Sequence, residues 1–213
     1  MTRAVLFDID GVLVRGYHAR PEDQKRWDEK LLADHGIDPE RFSEEFIYDV
    51  FVKKVLVGQT SLVTALDQVL PRLGYKGSPV AFAQLWVSRH ANLDHAVLDI
   101  VAQLKARSDL RLYLATNQDH VRAMWLWETL GLSAYFEDIF YSARARALKP
   151  QDRYFDYIKS RIGPQSQPPL FFDDTPKMVA GARSHGWEAV LYREPTDCTN
   201  HPWIAARLEK VIV

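Results

Sequence analysis

Residues 3–14 read Arg3-Ala4-Val5-Leu6-Phe7-Asp8-Ile9-Asp10-Gly11-Val12-Leu13-Val14. The stretch from Arg3 to Phe7 is a short apolar run with β-branched content, the pattern of a strand buried on both faces. Two carboxylates and a glycine follow it directly. Asp and Gly favour turns, so Asp8-Ile9-Asp10-Gly11 is by itself either a turn or a site. The choice depends on what the rest of the chain brings to the same place.

Past residue 94 the pattern alternates. A helix is expected from about 95 to 107, a strand over 110–115, a helix over 119–130 and a short strand at 139–141. A helix over 151–162 begins just after Pro150. The strongly apolar strand Pro169-Leu170-Phe171-Phe172 then runs into Asp173-Asp174. Thr175-Pro176 opens the next helix, with Thr as N-cap and Pro in the first helical position. A last strand covers about 189–192, and a final helix about 203–210. Strands alternating with helices predict an α/β fold, a Rossmann-like doubly wound parallel sheet with helices on both faces.

Between the first strand and residue 95 no good strand occurs. Phe42, Phe46, Tyr48, Phe51 and Val55, then Leu62, Leu66, Val69 and Leu70, recur at helical spacings. The domain reading is therefore a core of residues 1–15 and 95–213 with an inserted α-helical cap domain, residues 16–94. The insertion leaves from the C-terminal end of the first strand, the edge where open α/β sheets bind ligands, so it can sit over a site as a lid.

Composition narrows the function. The chain has 213 residues, 47% of them apolar and 26% charged, and Lys+Arg 27 against Asp+Glu 28 leaves no basic field for nucleic acid. No apolar run is long enough to span a bilayer, and the first one is too short for a signal peptide, so no membrane partner and a cytoplasmic location are expected. The single cysteine, Cys198, excludes an internal disulfide and a cysteine-rich zinc site. Neither His95 nor His120 shows metal-ligand spacing. The sequence is silent on oligomeric state.

Four polar features fall at strand ends or helix starts: Asp8 and Asp10, Thr116-Asn117, Lys149-Pro150, and Asp173-Asp174. A parallel sheet delivers all of them to one edge. Clustered carboxylates imply a cation, and hard oxygen ligands suit Mg2+. A carboxylate is ionised at neutral pH and can act as a nucleophile; a second carboxyl two residues on can carry the proton. Ammonium, hydroxyl and backbone N–H groups suit the spread negative charge of a phosphoryl group. Taken singly each feature has a plainer use as a turn or a cap. Their order and shared placement carry the argument.

These residues resemble the motifs of the haloacid dehalogenase-like (HAD) hydrolase superfamily. Residues 5–13, Val5 through Leu13, look like its first motif, Thr116-Asn117 its second, Lys149-Pro150 its third, and Phe171 through Pro176 its fourth. The helical insertion is similar to the family's helical cap of the first type. The resemblance implies a Mg2+-dependent phosphatase acting on a small phosphorylated metabolite. Asp8 would be the nucleophile that forms an aspartyl-phosphate, and Asp10 the general acid and base with its backbone carbonyl on Mg2+. Thr116 and Asn117 would hold phosphate oxygens, and Lys149 would offset charge on Asp8 and the phosphoryl group. Asp174, with Asp173 beside it, would bind Mg2+ directly or through water. One departure stands out: many members carry a further acid four residues after the metal-binding one, where this chain has Met178. The dehalogenases lack the second Asp of the first motif, so Asp10 argues for phosphate chemistry.

Two other readings use the same core: a sugar phosphomutase, and a non-catalytic binding or regulatory module. Candidates for specificity are Arg15, Tyr17 and His18, Gly58-Gln59, and Trp86 through His90, each with an ordinary packing or surface role as its alternative.

Overall fold

A computed structural model describes residues 2–16, 18–89 and 92–208. Tyr17 and His90, two of the specificity candidates, lie outside the described residues, as does the C-terminal end of the last expected helix.

Five strands form one parallel sheet: β1 (Arg3–Phe7), β2 (Leu110–Thr116), β3 (Asp138–Tyr141), β4 (Leu170–Asp173) and β5 (Glu188–Leu191). Their order is β3-β2-β1-β4-β5. The chain adds strands on one side of β1 and then jumps to the other. The sheet therefore reverses between β1 and β4, and in open α/β sheets that switch point opens a crevice at the strands' C-terminal ends. Phe7 pairs with Phe172 on one side and Leu114 on the other. The next residues along are Asp8, just past the end of β1, and Asp173 and Ala115, which still lie in the flanking strands β4 and β2.

Side chains alternate across the sheet as the two-residue period requires. Val5, Phe7, Leu112, Leu114, Leu170 and Phe172 enter one apolar layer with α5 (His95–Lys105). Ala4, Leu6, Tyr113, Ala115 and Phe171 enter the opposite layer with α8 (Asp152–Ile162) and α9 (Pro176–Ser184). Every residue of β1 is buried; the apolar run predicts this for Ala4 to Phe7, and Arg3 is buried with its guanidinium paired to Glu188.

The expected helical block is present, broken by its own punctuation. It comprises α1 (Leu31–His35), α2 (Pro39–Phe42) running into a π-wound stretch Ser43–Val55, α3 (Leu62–Val69) and α4 (Pro79–Ser88). Asp38, Ser61 and Ser78 accept backbone N–H groups at three of its helix starts. Phe42, Phe46, Leu66, Phe82 and Trp86 make a separate apolar cluster. Its rings meet edge-on or tilted, Phe42 lying 5.1 Å from Phe46 and 5.6 Å from Phe82. Trp86 is thus a packing residue of this cluster.

The two chain segments joining the block to the sheet run together. Val14 bridges Leu93, Arg15 N donates to Asn92 O, Asp94 N donates to Leu13 O, and the Arg15 guanidinium pairs with Asp94 at 2.9 Å. Arg15 serves this junction.

Elsewhere the boundaries shift modestly. The helix expected over 119–130 is α6 (His120–Met124) continued by π-wound Trp125–Thr129. Two short helices, α7 (Ser142–Ala145) and α10 (Pro195–Thr199), were not expected, and α11 (Pro202–Leu208) closes the described chain. Thr175 stands at the N-cap of α9, but its side chain makes no capping bond. Its Oγ1 instead donates to Asp174, and its backbone N–H donates to Asp173.

Candidate active site

At the switch point a cavity of about 180 Å³ is lined by Asp8, Asp10, Thr116, Asn117, Lys149 and Asp174, together with Ala19, Thr175 and Met178. Every position expected from the sequence except Asp173 reaches its wall. Met178, the departure from the fourth motif, puts a thioether where a further acid was expected.

Asp8 is fixed at the end of β1 by its backbone N–H, which donates to Phe172 O at 2.9 Å. One carboxylate oxygen accepts from Ile9 N at 2.8 Å and the other meets Lys149 Nζ at 2.9 Å. Burial pushes the Asp8 carboxyl well above the usual carboxylate range; Lys149 opposes this, while Asp173 and Asp10 add to it.

Lys149 is almost fully buried, and all three of its N–H donors are used, on Asp8, on Asp173 at 2.7 Å and on Ala115 O at 2.9 Å. Burial disfavours its charge, but the two carboxylates outweigh it and hold the ammonium above its ordinary range. Asp173 has no exposed surface and lies behind the cavity wall. Its second oxygen accepts from Thr175 N at 2.9 Å, so it anchors both the lysine and the start of α9.

Asp174 is half-buried, and burial raises its carboxyl above the ordinary value. It accepts from Ala19 N at 2.5 Å and from Thr175 Oγ1 at 3.2 Å. It also lies directly over Gly11: a Cβ at that glycine would sit 2.0 Å from Asp174 Oδ2. Asn117 is tied sideways. Its Oδ1 accepts from Lys149 N at 2.8 Å and its Nδ2 donates to Lys149 O at 3.4 Å, which locks the end of β2 to the lysine's loop.

Two partners of Asp10 had no signal in the sequence reading. Arg122 donates to both of its carboxylate oxygens, at 2.6 and 2.7 Å, and Gln118 Nε2 donates to one of them at 2.6 Å. Both sit at the start of α6, more than a hundred residues along the chain.

The donor set is suited to a hard divalent cation. One oxygen each from Asp8, Asp173 and Asp174 fall within 4.8 Å of one another, and the Lys149 ammonium pairs with two of the three, Asp8 and Asp173. The charge is therefore unbalanced in a buried place, which an oxygen-seeking dication would correct.

Of the specificity candidates, His18 lines a separate cavity with Gly16, Lys25, Trp27 and Tyr48. Gly58 abuts Ala143 O, where a Cβ would lie 2.5 Å from it, so here the helical block touches the core. Cys198 is buried. Among the described residues no helix is long and apolar enough to cross a membrane.

Residues 2–186 match the family model for haloacid dehalogenase-like hydrolases. The chain belongs to that family. This HAD-like hydrolase shares its fold with an HAD family enzyme of Bacteroides thetaiotaomicron solved as a magnesium complex. That pair is 20% identical, with a TM-score of 0.70 over 88% of this chain and 91% of the other. It is equally similar to an HAD-like family hydrolase of Porphyromonas gingivalis, at 20% identity and TM-score 0.70 over 99% of each chain. An L-2-haloacid dehalogenase of Xanthobacter autotrophicus matches at 20% identity and TM-score 0.55, over 89% of this chain and 76% of that one. No curated protein matches the chain. Since dehalogenases share the architecture, the fold leaves the reaction to be argued from the site.

Proposed function

We propose that this HAD-like hydrolase is a phosphatase that removes the phosphoryl group of a small phosphorylated metabolite through an aspartyl-phosphate on Asp8, with Mg2+ as cofactor. The observation that carries the proposal is the pairing of Asp8 with a second wall carboxylate, Asp10, in one cavity beside Lys149. Dehalogenation has no use for Asp10; ester cleavage needs a proton at the leaving oxygen.

A carboxylate oxygen of Asp8 attacks phosphorus while the P–O bond to the leaving group breaks. Asp10 gives its proton to the departing oxygen. Water then attacks the aspartyl-phosphate, Asp10 takes a proton from it, and the phosphorus–Asp8 bond breaks to release phosphate. Lys149 holds Asp8 in line and offsets its charge. Thr116 Oγ1 and the backbone amide of Asn117 serve the phosphoryl oxygens, since the Asn117 side chain is already engaged. Mg2+ would be held by Asp8, Asp174 and the Asp10 carbonyl, with Asp173 supporting it through Lys149, and would supply positive charge to the phosphoryl oxygens and to Asp8.

Residues 16–94 are read as the cap. Closed over the cavity they would exclude bulk water and select small substrates. A phosphate-bearing metabolite of the cytosol is the matching substrate class. The magnesium and phosphate complex of the Bacteroides enzyme supports this choice by analogy.

Phosphate release from a panel of phosphorylated metabolites, with Mg2+ and with EDTA, tests the proposal. Asp8→Asn should abolish release while the fold survives. Turnover near wild type in that variant would remove Asp8 from its role, and metal-independent turnover would remove Mg2+.

A further inference from the structure

We propose that Arg122, assisted by Gln118, is a positioning residue that sets the carboxylate of Asp10 in the plane from which it exchanges a proton with the leaving group. This rests on the reading of Asp10 as proton donor and acceptor. The three side chains close a triangle. Arg122 Nη2 donates to Asp10 Oδ1 at 2.6 Å and Nη1 to Oδ2 at 2.7 Å; Gln118 Nε2 donates to Oδ2 at 2.6 Å; and Gln118 Oε1 accepts from Arg122 Nη1 at 2.7 Å.

The frame behind the triangle is rigid. Asp119 is buried at the N-cap of α6 and accepts from Val121 N at 2.7 Å and Arg122 N at 3.3 Å. The carbonyl of Gln118 accepts from Ser142 Oγ and Ala143 N, both at 3.1 Å. The backbone carrying both donors is thus tied to the start of α7, just after β3.

The arrangement also separates roles. Asp10 lines the cavity, whereas Arg122 and Gln118 do not. They bond the carboxylate without lining the cavity, so they act on the reaction through Asp10. Arg122 is nearly buried while the Asp10 side chain stays 25% exposed, so the pair is a poor source of net stability and its fixed geometry is the feature that bears on Asp10. A guanidinium fork defines the plane of a carboxylate; an ammonium, as a point charge, does not. The step served is the one written above: the proton passes from Asp10 to the leaving oxygen as its bond to phosphorus breaks, and another is later taken from water.

The test measures kcat/KM, which covers the steps up to departure of the leaving group, for an alkyl phosphate and for p-nitrophenyl phosphate. The variants are Arg122→Met, Arg122→Lys, Gln118→Met and Asp10→Asn. An alkoxide needs a proton to leave and p-nitrophenolate does not. Arg122→Met should lower kcat/KM about 100-fold on the alkyl ester and less than about 5-fold on the aryl ester. Arg122→Lys should recover little of the loss, and Gln118→Met should show the same bias at smaller size. Binding of inorganic phosphate with Mg2+, followed by calorimetry, should stay within about 3-fold in every variant, because misplacing a proton donor leaves product binding intact.

Equal losses on the two esters, or lost phosphate binding in variants whose thermal unfolding remains cooperative, would mean that Arg122 only holds the site together. If Arg122→Met does not fold, Arg122→Lys and Gln118→Met decide the matter by the same bias. No loss in Asp10→Asn on either ester would sink the reading of Asp10 itself. A loss there with wild-type behaviour in Arg122→Lys and Gln118→Met would sink only the positioning role.

Discussion

Lys149→Met removes the one ammonium between Asp8 and Asp173 while keeping an unbranched side chain of similar length. In the wild type the ammonium lies 2.9 Å from Asp8, 2.7 Å from Asp173 and 2.9 Å from Ala115 O, and only 2% of the side chain is exposed. Breaking a buried pair from one side leaves charge uncompensated and typically costs about 3–5 kcal/mol. Two carboxylates are stranded here, so a loss of about 4 kcal/mol at pH 7.5 is expected, read from urea unfolding in EDTA. The loss should depend on pH with a definite sign. Burial already holds the Asp8 carboxyl well above its ordinary value, and Lys149 is the strongest influence opposing that. Without the lysine, the folded-state pKa lies still further above the unfolded one. Such a group contributes stability at low pH that is lost as pH rises through its folded value. The gap between wild type and variant should therefore narrow as pH falls from 8 toward 5. Lys149→Met with Asp173→Asn, which removes one stranded charge, should recover part of the loss. A cost below about 1 kcal/mol, or a gap that widens on acidification, would refute the claim that this lysine neutralises a buried acid pair.

Gly11→Ala should fold with a penalty of about 1–2 kcal/mol for a side chain at positive φ. Its new Cβ would meet Asp174 Oδ2 at 2.0 Å and displace that carboxylate, so the Mg2+ requirement of phosphate release should rise sharply in activity titrations. Mg2+ at a hundred times its dissociation constant should stabilise the wild type by about 2.7 kcal/mol in thermal unfolding. Asp174→Asn should abolish most of that shift, and an undiminished shift in this variant would place the ion elsewhere.

The first strand, the acid pair that ends it and the alternation after residue 94 could all be read along the chain. They rest on local physics: an unbroken apolar run marks a strand buried on both faces, and periodicity separates helix from strand. The placement of Asp8, Thr116, Lys149 and Asp174 on one edge followed from parallel order, and the cavity lining agrees with it. Spacing could not tell which of two adjacent acids faces the cavity. That required the register of β4, which turns Asp173 back toward Lys149 and leaves Asp174 on the wall. Nor could spacing reveal that the Asn117 amide is spent on Lys149's backbone, that Ala19 N holds Asp174, or that Arg122 and Gln118 grip Asp10. Each of these contacts joins residues more than thirty positions apart, and each is a hydrogen bond that forms only within a few tenths of an ångström of its preferred length. Local pattern determines which segments become strands and helices because burial is summed over neighbours. Pairings between distant polar groups are settled only when packing fixes the separate backbones against one another.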